Sequence, residues 1–104
     1  MNNLKQTIMN KYDGVVIKKS TKVFTSMNIL ETTVEHNGFQ GGDAGHGGYV
    51  TVTFTDLSGT SMEVNGVDFC GEQFSITFKG STERQTFVES LQFILDELKS
   101  DVTY

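Results

Sequence analysis

The residues best placed to do chemistry are His36, Asp43 and His46, which lie in or beside the stretch GFQGGDAGHGG at positions 38–48. Six of those eleven residues are glycine. Glycine allows positive φ and lets another group approach the main chain closely, at a considerable entropic cost on ordering. Three readings of the stretch compete. It could be a long mobile connection with no further role. It could be a cradle in which the backbone N–H groups of Gly41, Gly42, Gly45, Gly47 and Gly48 receive a small polar ligand, with Asp43 and His46 as selectors and Phe39 or Tyr49 as a stacking surface. Or it could be a metal site, since the two imidazoles and one carboxylate of His36, Asp43 and His46 suit zinc or iron, although their spacing is no recognised signature.

The familiar phosphate loops do not fit. A GxxxxGK[ST] loop requires a lysine that this stretch lacks, and GxGxxG requires a following helix where the sequence supplies a strand. Residues 23–78 hold no Lys or Arg and seven carboxylates, so a phosphate would need Lys18, Lys19, Lys22 or Arg84 folded back against the loop or supplied by a neighbouring subunit. Catalysis would have to be assembled from pieces, with Asp43 and His46 as base and orienter and Cys70 or a serine as nucleophile. No nucleophile motif such as GxSxG is present, and Cys70 falls in a separate hairpin. No catalytic residue and no cofactor is assigned, and the expectation leans away from an enzyme and towards a binding protein.

The charge balance narrows the partners. Eight Lys and Arg against 13 Asp and Glu give a net charge of −5, which argues against broad attraction to nucleic acid or to an anionic membrane. It is also too small a charge to imitate a DNA duplex. The N-terminal 22 residues carry five lysines against Asp13, so the cations are segregated at one end of the sequence. A lone cysteine, Cys70, forms no internal disulfide, and no apolar run approaches the ~20 residues that cross a bilayer. Together with an N-terminus unlike a signal peptide, this makes a cytoplasmic location the expectation.

The elements that must position these residues read as a single α+β domain spanning 1–104: an antiparallel sheet of four to six strands, a C-terminal helix packed on it, and a short N-terminal helix. Leu4, Ile8 and Tyr12 recur every four residues ahead of Gly14, as in an amphipathic helix with a stop. Residues 15–24 read as a strand interrupted at KKSTK, or as a hairpin. Residues 28–36 and YVTVTFTDL alternate in the manner of strands that flank the glycine stretch. Asn65-Gly66 is a tight-turn signature, and residues 73–79 alternate again, burying Phe74, Ile76 and Phe78. From Gly80 onward, Ser81 and Thr82 offer a cap, and Phe87, Val88, Leu91, Ile94, Leu95 and Leu98 form one helical stripe. Phe93 lies about 220° from Leu98 around that helix, on the polar side, which suggests contact with a second chain. A homo-oligomer is therefore expected, with Phe93, Leu4 and Ile8 at the interface.

A short acidic chain beginning MNNLKQT, with a strand-rich middle and an amphipathic last helix, resembles the small accessory proteins encoded by bacteriophages. That resemblance implies binding rather than chemistry: sequestration of a nucleotide signal in host defence, or inhibition of a host protein in the host cytoplasm.

Overall fold

The computed structural model describes residues 5–12 and 15–100. Five strands form one antiparallel sheet, β1 (Lys5–Tyr12), β2 (Val15–Phe24), β3 (Ile29–His36), β4 (Tyr49–Ser58) and β7 (Gln73–Lys79), in the order β1-β2-β3-β4-β7. A small hairpin, β5 (Glu63–Val64) with β6 (Val67–Asp68), is inserted between β4 and β7. Its turn has Asn65 at φ 53° and Gly66 at φ 77°, the two positive values a tight hairpin turn demands. The helix α1 (Ser81–Lys99) completes the α+β architecture.

The N-terminal helix expected from Leu4, Ile8 and Tyr12 is a strand instead. A spacing of four is one helical turn, but it is also two strand repeats, so the same three residues fit either period. Pairing decides, because β1 runs in unbroken register with β2 from Lys5 opposite Lys22 to Tyr12 opposite Val15. The interface position expected at Leu4 and the stop at Gly14 lie outside the described residues. The interruption expected at KKSTK is also absent, since β2 is one continuous strand of ten residues that pairs with both neighbours.

Register sorts the side chains onto two unlike faces. On one lie Val50, Val52 and Phe54 of β4, flanked by Val34 and Thr32 of β3 and by Phe78, Ile76 and Phe74 of β7. Val50 and Val52 are 5% exposed and form the core with Phe69. Phe69 meets Phe74 edge-on at 5.1 Å, and Phe74 stacks on Phe54 at 5.4 Å. The other face is a lattice of hydroxyls. Thr21 bonds Thr33 at 3.0 Å, Thr51 bonds Thr77 at 2.9 Å and Thr53 bonds Ser75 at 2.7 Å, which satisfies polar groups that β-branched residues bring to a strand.

Asp56 ties the β5–β6 excursion to the sheet. Buried at the far end of β4, its carboxylate accepts the Gly71 N–H at 2.9 Å and the Thr60 N–H at 3.3 Å. These bonds, led by that from Gly71, hold its pKa below the ordinary carboxylate range.

The helix departs most from expectation. It meets the sheet where Phe87 stacks on Phe78 at 4.5 Å, but every residue from Val88 to Ser100 is exposed. Ile76, expected to be buried beneath it, is 40% exposed. The radius of gyration is 15.6 Å, against about 13 Å for a compact chain of this length. The stripe that the sequence assigns to the sheet thus begins on the sheet and runs clear of it. Among the described residues no helix is long and apolar enough to cross a membrane.

Candidate functional site

The glycine stretch joins β3 to β4, and it is closed on itself and on the helix rather than loose. At its centre Asp43 starts a 3-10 turn over Ala44–His46 by accepting the Gly45 N–H on its side chain at 3.0 Å, and Gly47 ends that turn at φ 83°. Asn37 staples the two ends, since its amide donates to the Gly47 carbonyl at 2.8 Å and its side-chain oxygen accepts the Tyr49 N–H at 3.0 Å.

Ser81 anchors the loop to the helix. Only 2% exposed, its hydroxyl oxygen accepts the N–H groups of both Gln40 (3.1 Å) and Gly41 (3.0 Å). In return the Gly42 carbonyl accepts the Thr82 N–H at 3.0 Å, and the Gly48 carbonyl accepts the Gly80 N–H at 2.7 Å. A helix leaves its first N–H groups without partners, and side-chain caps usually supply them. Here the expected cap from Ser81 or Thr82 is replaced: Gly80 occupies the cap position with no side-chain bond, and the loop's own carbonyl caps the helix.

This arrangement settles where the expected ligand and metal residues stand. The N–H groups of Gln40, Gly41, Gly45, His46 and Gly47 already donate within the chain. Asp43 and His46 approach each other at 3.5 Å on an exposed edge, but His36 is turned elsewhere, accepting the Gly38 N–H on Nδ1 at 3.0 Å. Among the described residues no group of three His, Cys, Asp or Glu side chains converges as a metal site, so the expected trio is not assembled. Tyr49 and Phe39 are also separated. Tyr49 projects to the hydroxyl face and donates to Glu35 at 2.7 Å, while Phe39, 71% exposed, overhangs the opposite one.

Cys70 sits beyond the other end of β4, beside Asp56, which is seven residues or ~23 Å along the strand from Tyr49. The negative charge of Asp56, followed by burial and by Asp68, pushes its thiol pKa up. A thiol so placed is a poor nucleophile, and it is remote from Asp43 and His46.

Among the described residues Tyr49 carries the largest titration effect. Burial first, then its bond to Glu35 and the charge of that carboxylate, push its phenol up to about 12. Because the folded value lies above the unfolded one near 10, this contribution to stability is complete below pH 10 and is lost as the pH rises through about 12. A Tyr49→Phe difference titration of phenolate absorbance should place this phenol near 12, and Glu35→Gln should return it towards 10. A Tyr49 midpoint near 10 in the unmodified chain would contradict the bond.

A feature that motif reasoning missed lies across β1, β2 and β3, on the face that also carries the core. Lys5, Lys18, Lys22 and His36 line a cleft of about 350 Å³, with Phe24 and Val34 as its apolar part. A second cleft of about 400 Å³ shares Lys18 and His36 and continues to Met9, Val16 and Phe39. Among the described residues no carboxylate lines either one. Alternation accounts for this, because Glu31 and Glu35 fall on the hydroxyl face of β3 whereas Thr32, Val34 and His36 face the clefts. The signal in the sequence was the run of five lysines before residue 23, and it became readable only with the strand register.

Comparison with known protein-family models, with curated proteins and with solved structures finds no match for this chain.

Proposed function

We propose that this is a non-enzymatic binding protein that works as a self-associating unit, with α1 as the element through which copies join. The observation that carries this reading is the exposure of α1 beyond Phe87. Val88, Leu91, Ile94, Leu95 and Leu98 are between 45% and 64% exposed, yet they continue the same stripe that begins on the sheet at Phe87. Their spacing, with Phe87, Leu91, Ile94 and Leu98 at alternating intervals of four and three, is that of a helix seam. Each half-exposed aliphatic side chain leaves about 1 kcal/mol of burial unrealised, and contiguous apolar surface of this kind marks interaction sites. Two heptads are short for a coiled coil alone, and the exposed Ile76, on the same sheet face as Phe78, extends the apolar surface beyond the helix.

Phe93 is 64% exposed on the other side of the helix, and Ile8 is 54% exposed on the edge strand β1, so both remain open to contact in the same assembly. The alternative occupant of the stripe is a helix of another protein, such as a host factor. Sedimentation velocity across 1–200 µM should give a concentration-dependent shift from monomer to a dimer or higher species. A monomer throughout that range would overturn self-association and leave the alternative partner as the reading to pursue by pull-down.

A further inference from the structure

The paired clefts across β1, β2 and β3 are the strongest feature that self-association through α1 does not use. Cross-strand register sets Lys5 opposite Lys22 and Lys18 opposite His36 on one sheet face. Like charges directly opposite each other, as Lys5 and Lys22 are, destabilise a sheet, and a chain with 13 carboxylates had ample means to neutralise them. It does not: among the described residues none of these lysines lies within 4 Å of a carboxylate. Lys22 instead lies over the Phe24 ring at 5.0 Å. A further cation, Arg84 of α1, is close enough to lower the pKa of His36, and its Nη1 is buried with no acceptor.

We propose that this groove binds a small phosphorylated ligand bearing a flat apolar group, the class to which nucleotides belong. Lys5, Lys18 and Lys22 hold its anionic end, and Phe39 covers its ring. The size fits, since clefts of about 350 and 400 Å³ fall within the range of small-molecule sites. Four residues along a strand separate Lys18 from Lys22, ~13 Å, a span that two lysine stems can close around one phosphate group or two. Phe24 and Phe39 stand at opposite ends of the groove and Val34 lies between them, so the anion site grades into apolar surface. A long polyanion is disfavoured, because beyond the groove it would run over a chain of net charge −5.

His36 reports on occupancy. Burial first, then Arg84 and Lys18, hold its pKa below 6.5, and a phosphate beside them would favour the imidazolium. The glycine loop contributes by position: its closure on Ser81 fixes Gln40, next to Phe39, against the helix.

The test is calorimetric titration at low salt with ADP, GDP and UDP, inorganic pyrophosphate, adenosine, a poly-glutamate peptide and a 20-base-pair DNA duplex. At least one nucleotide should bind more tightly than pyrophosphate, and adenosine should not bind detectably. Lys18→Gln with Lys22→Gln should weaken nucleotide binding at least thirtyfold, while Phe39→Ala should weaken it about tenfold and leave pyrophosphate unchanged. The NMR titration midpoint of His36 should rise on nucleotide addition. The lysine variant leaves α1 untouched, so its sedimentation profile should match that of the unmodified chain and separate this proposal from self-association. Absence of nucleotide binding, binding indifferent to the two lysines, or tighter binding of the peptide or the duplex would each overturn the assignment.

Discussion

Replacing Gly80 with alanine should lower the midpoint of thermal unfolding by roughly 12 °C or more, corresponding to about 3 kcal/mol in a chain of this size. Gly80 sits at φ 108°, where a side chain is strained in any surroundings. Its surroundings are also closed. A Cβ there would stand 2.8 Å from the Ala44 nitrogen and 2.8 Å from the Asp43 carbonyl carbon, and it would meet the Glu83 carboxylate as well. Glu83 can swing away, but the two backbone atoms belong to the loop and move only if the loop moves. Moving it breaks the Gly42-to-Thr82 cap and strips Ser81 of the two N–H groups it holds in a buried position. A buried polar group left without its partner costs ~1–3 kcal/mol, so the loss compounds the strain.

Gly59 supplies the control. It has φ 76° but nothing within 4 Å of its Cβ position, so alanine there should cost only about 1 kcal/mol. Differential scanning calorimetry of the two variants reads the contrast. Equal shifts would mean that the loop does not rest on the helix.

That contrast also shows what was legible in the sequence. The strands on either side of the loop were readable because alternation over eight or more residues has one interpretation, as in YVTVTFT. The Asn65-Gly66 turn was readable because few residue pairs tolerate two positive φ values. The first strand was not, since a spacing of four serves both periods and only its pairing with β2 resolves it. The density of glycine in residues 38–48 flagged the loop, but its role depends on Ser81, forty residues away from Gly41, and on a carbonyl that carries no side-chain signature. The groove needed still more. Charge counting placed every lysine of the first 22 residues in one block, yet whether those cations met the carboxylates of the next block turned on a single step of register. A one-residue slip of β3 would have put Glu31 and Glu35 among the lysines.

The helix raises the opposite problem, because its apolar stripe was plain in the sequence and its partner was not. Replacing Leu91 and Ile94 together with glutamate should raise the dissociation constant for self-association at least a hundredfold, about 2.7 kcal/mol, while leaving the fold of a single copy intact. The two halves of that expectation rest on different facts. Both side chains are nearly half exposed and lie past Phe87, the last residue of α1 that is not exposed, so little within the chain depends on them. Glutamate is also a good helix former, which keeps α1 itself in place. In a joined pair, by contrast, the same positions fall at the centre of the seam, where an unpaired carboxylate loses its water without gaining a partner. Phe93→Glu distinguishes the sides of the helix. If the stripe is the seam, that variant should associate within about threefold of the unmodified chain, whereas a loss as large as that of the double variant would move the interface to the face carrying Phe93. Sedimentation equilibrium gives the dissociation constants, and circular dichroism at the same concentrations shows whether α1 has held. A double variant that keeps both its helix and its association would exclude the stripe as the element joining the copies.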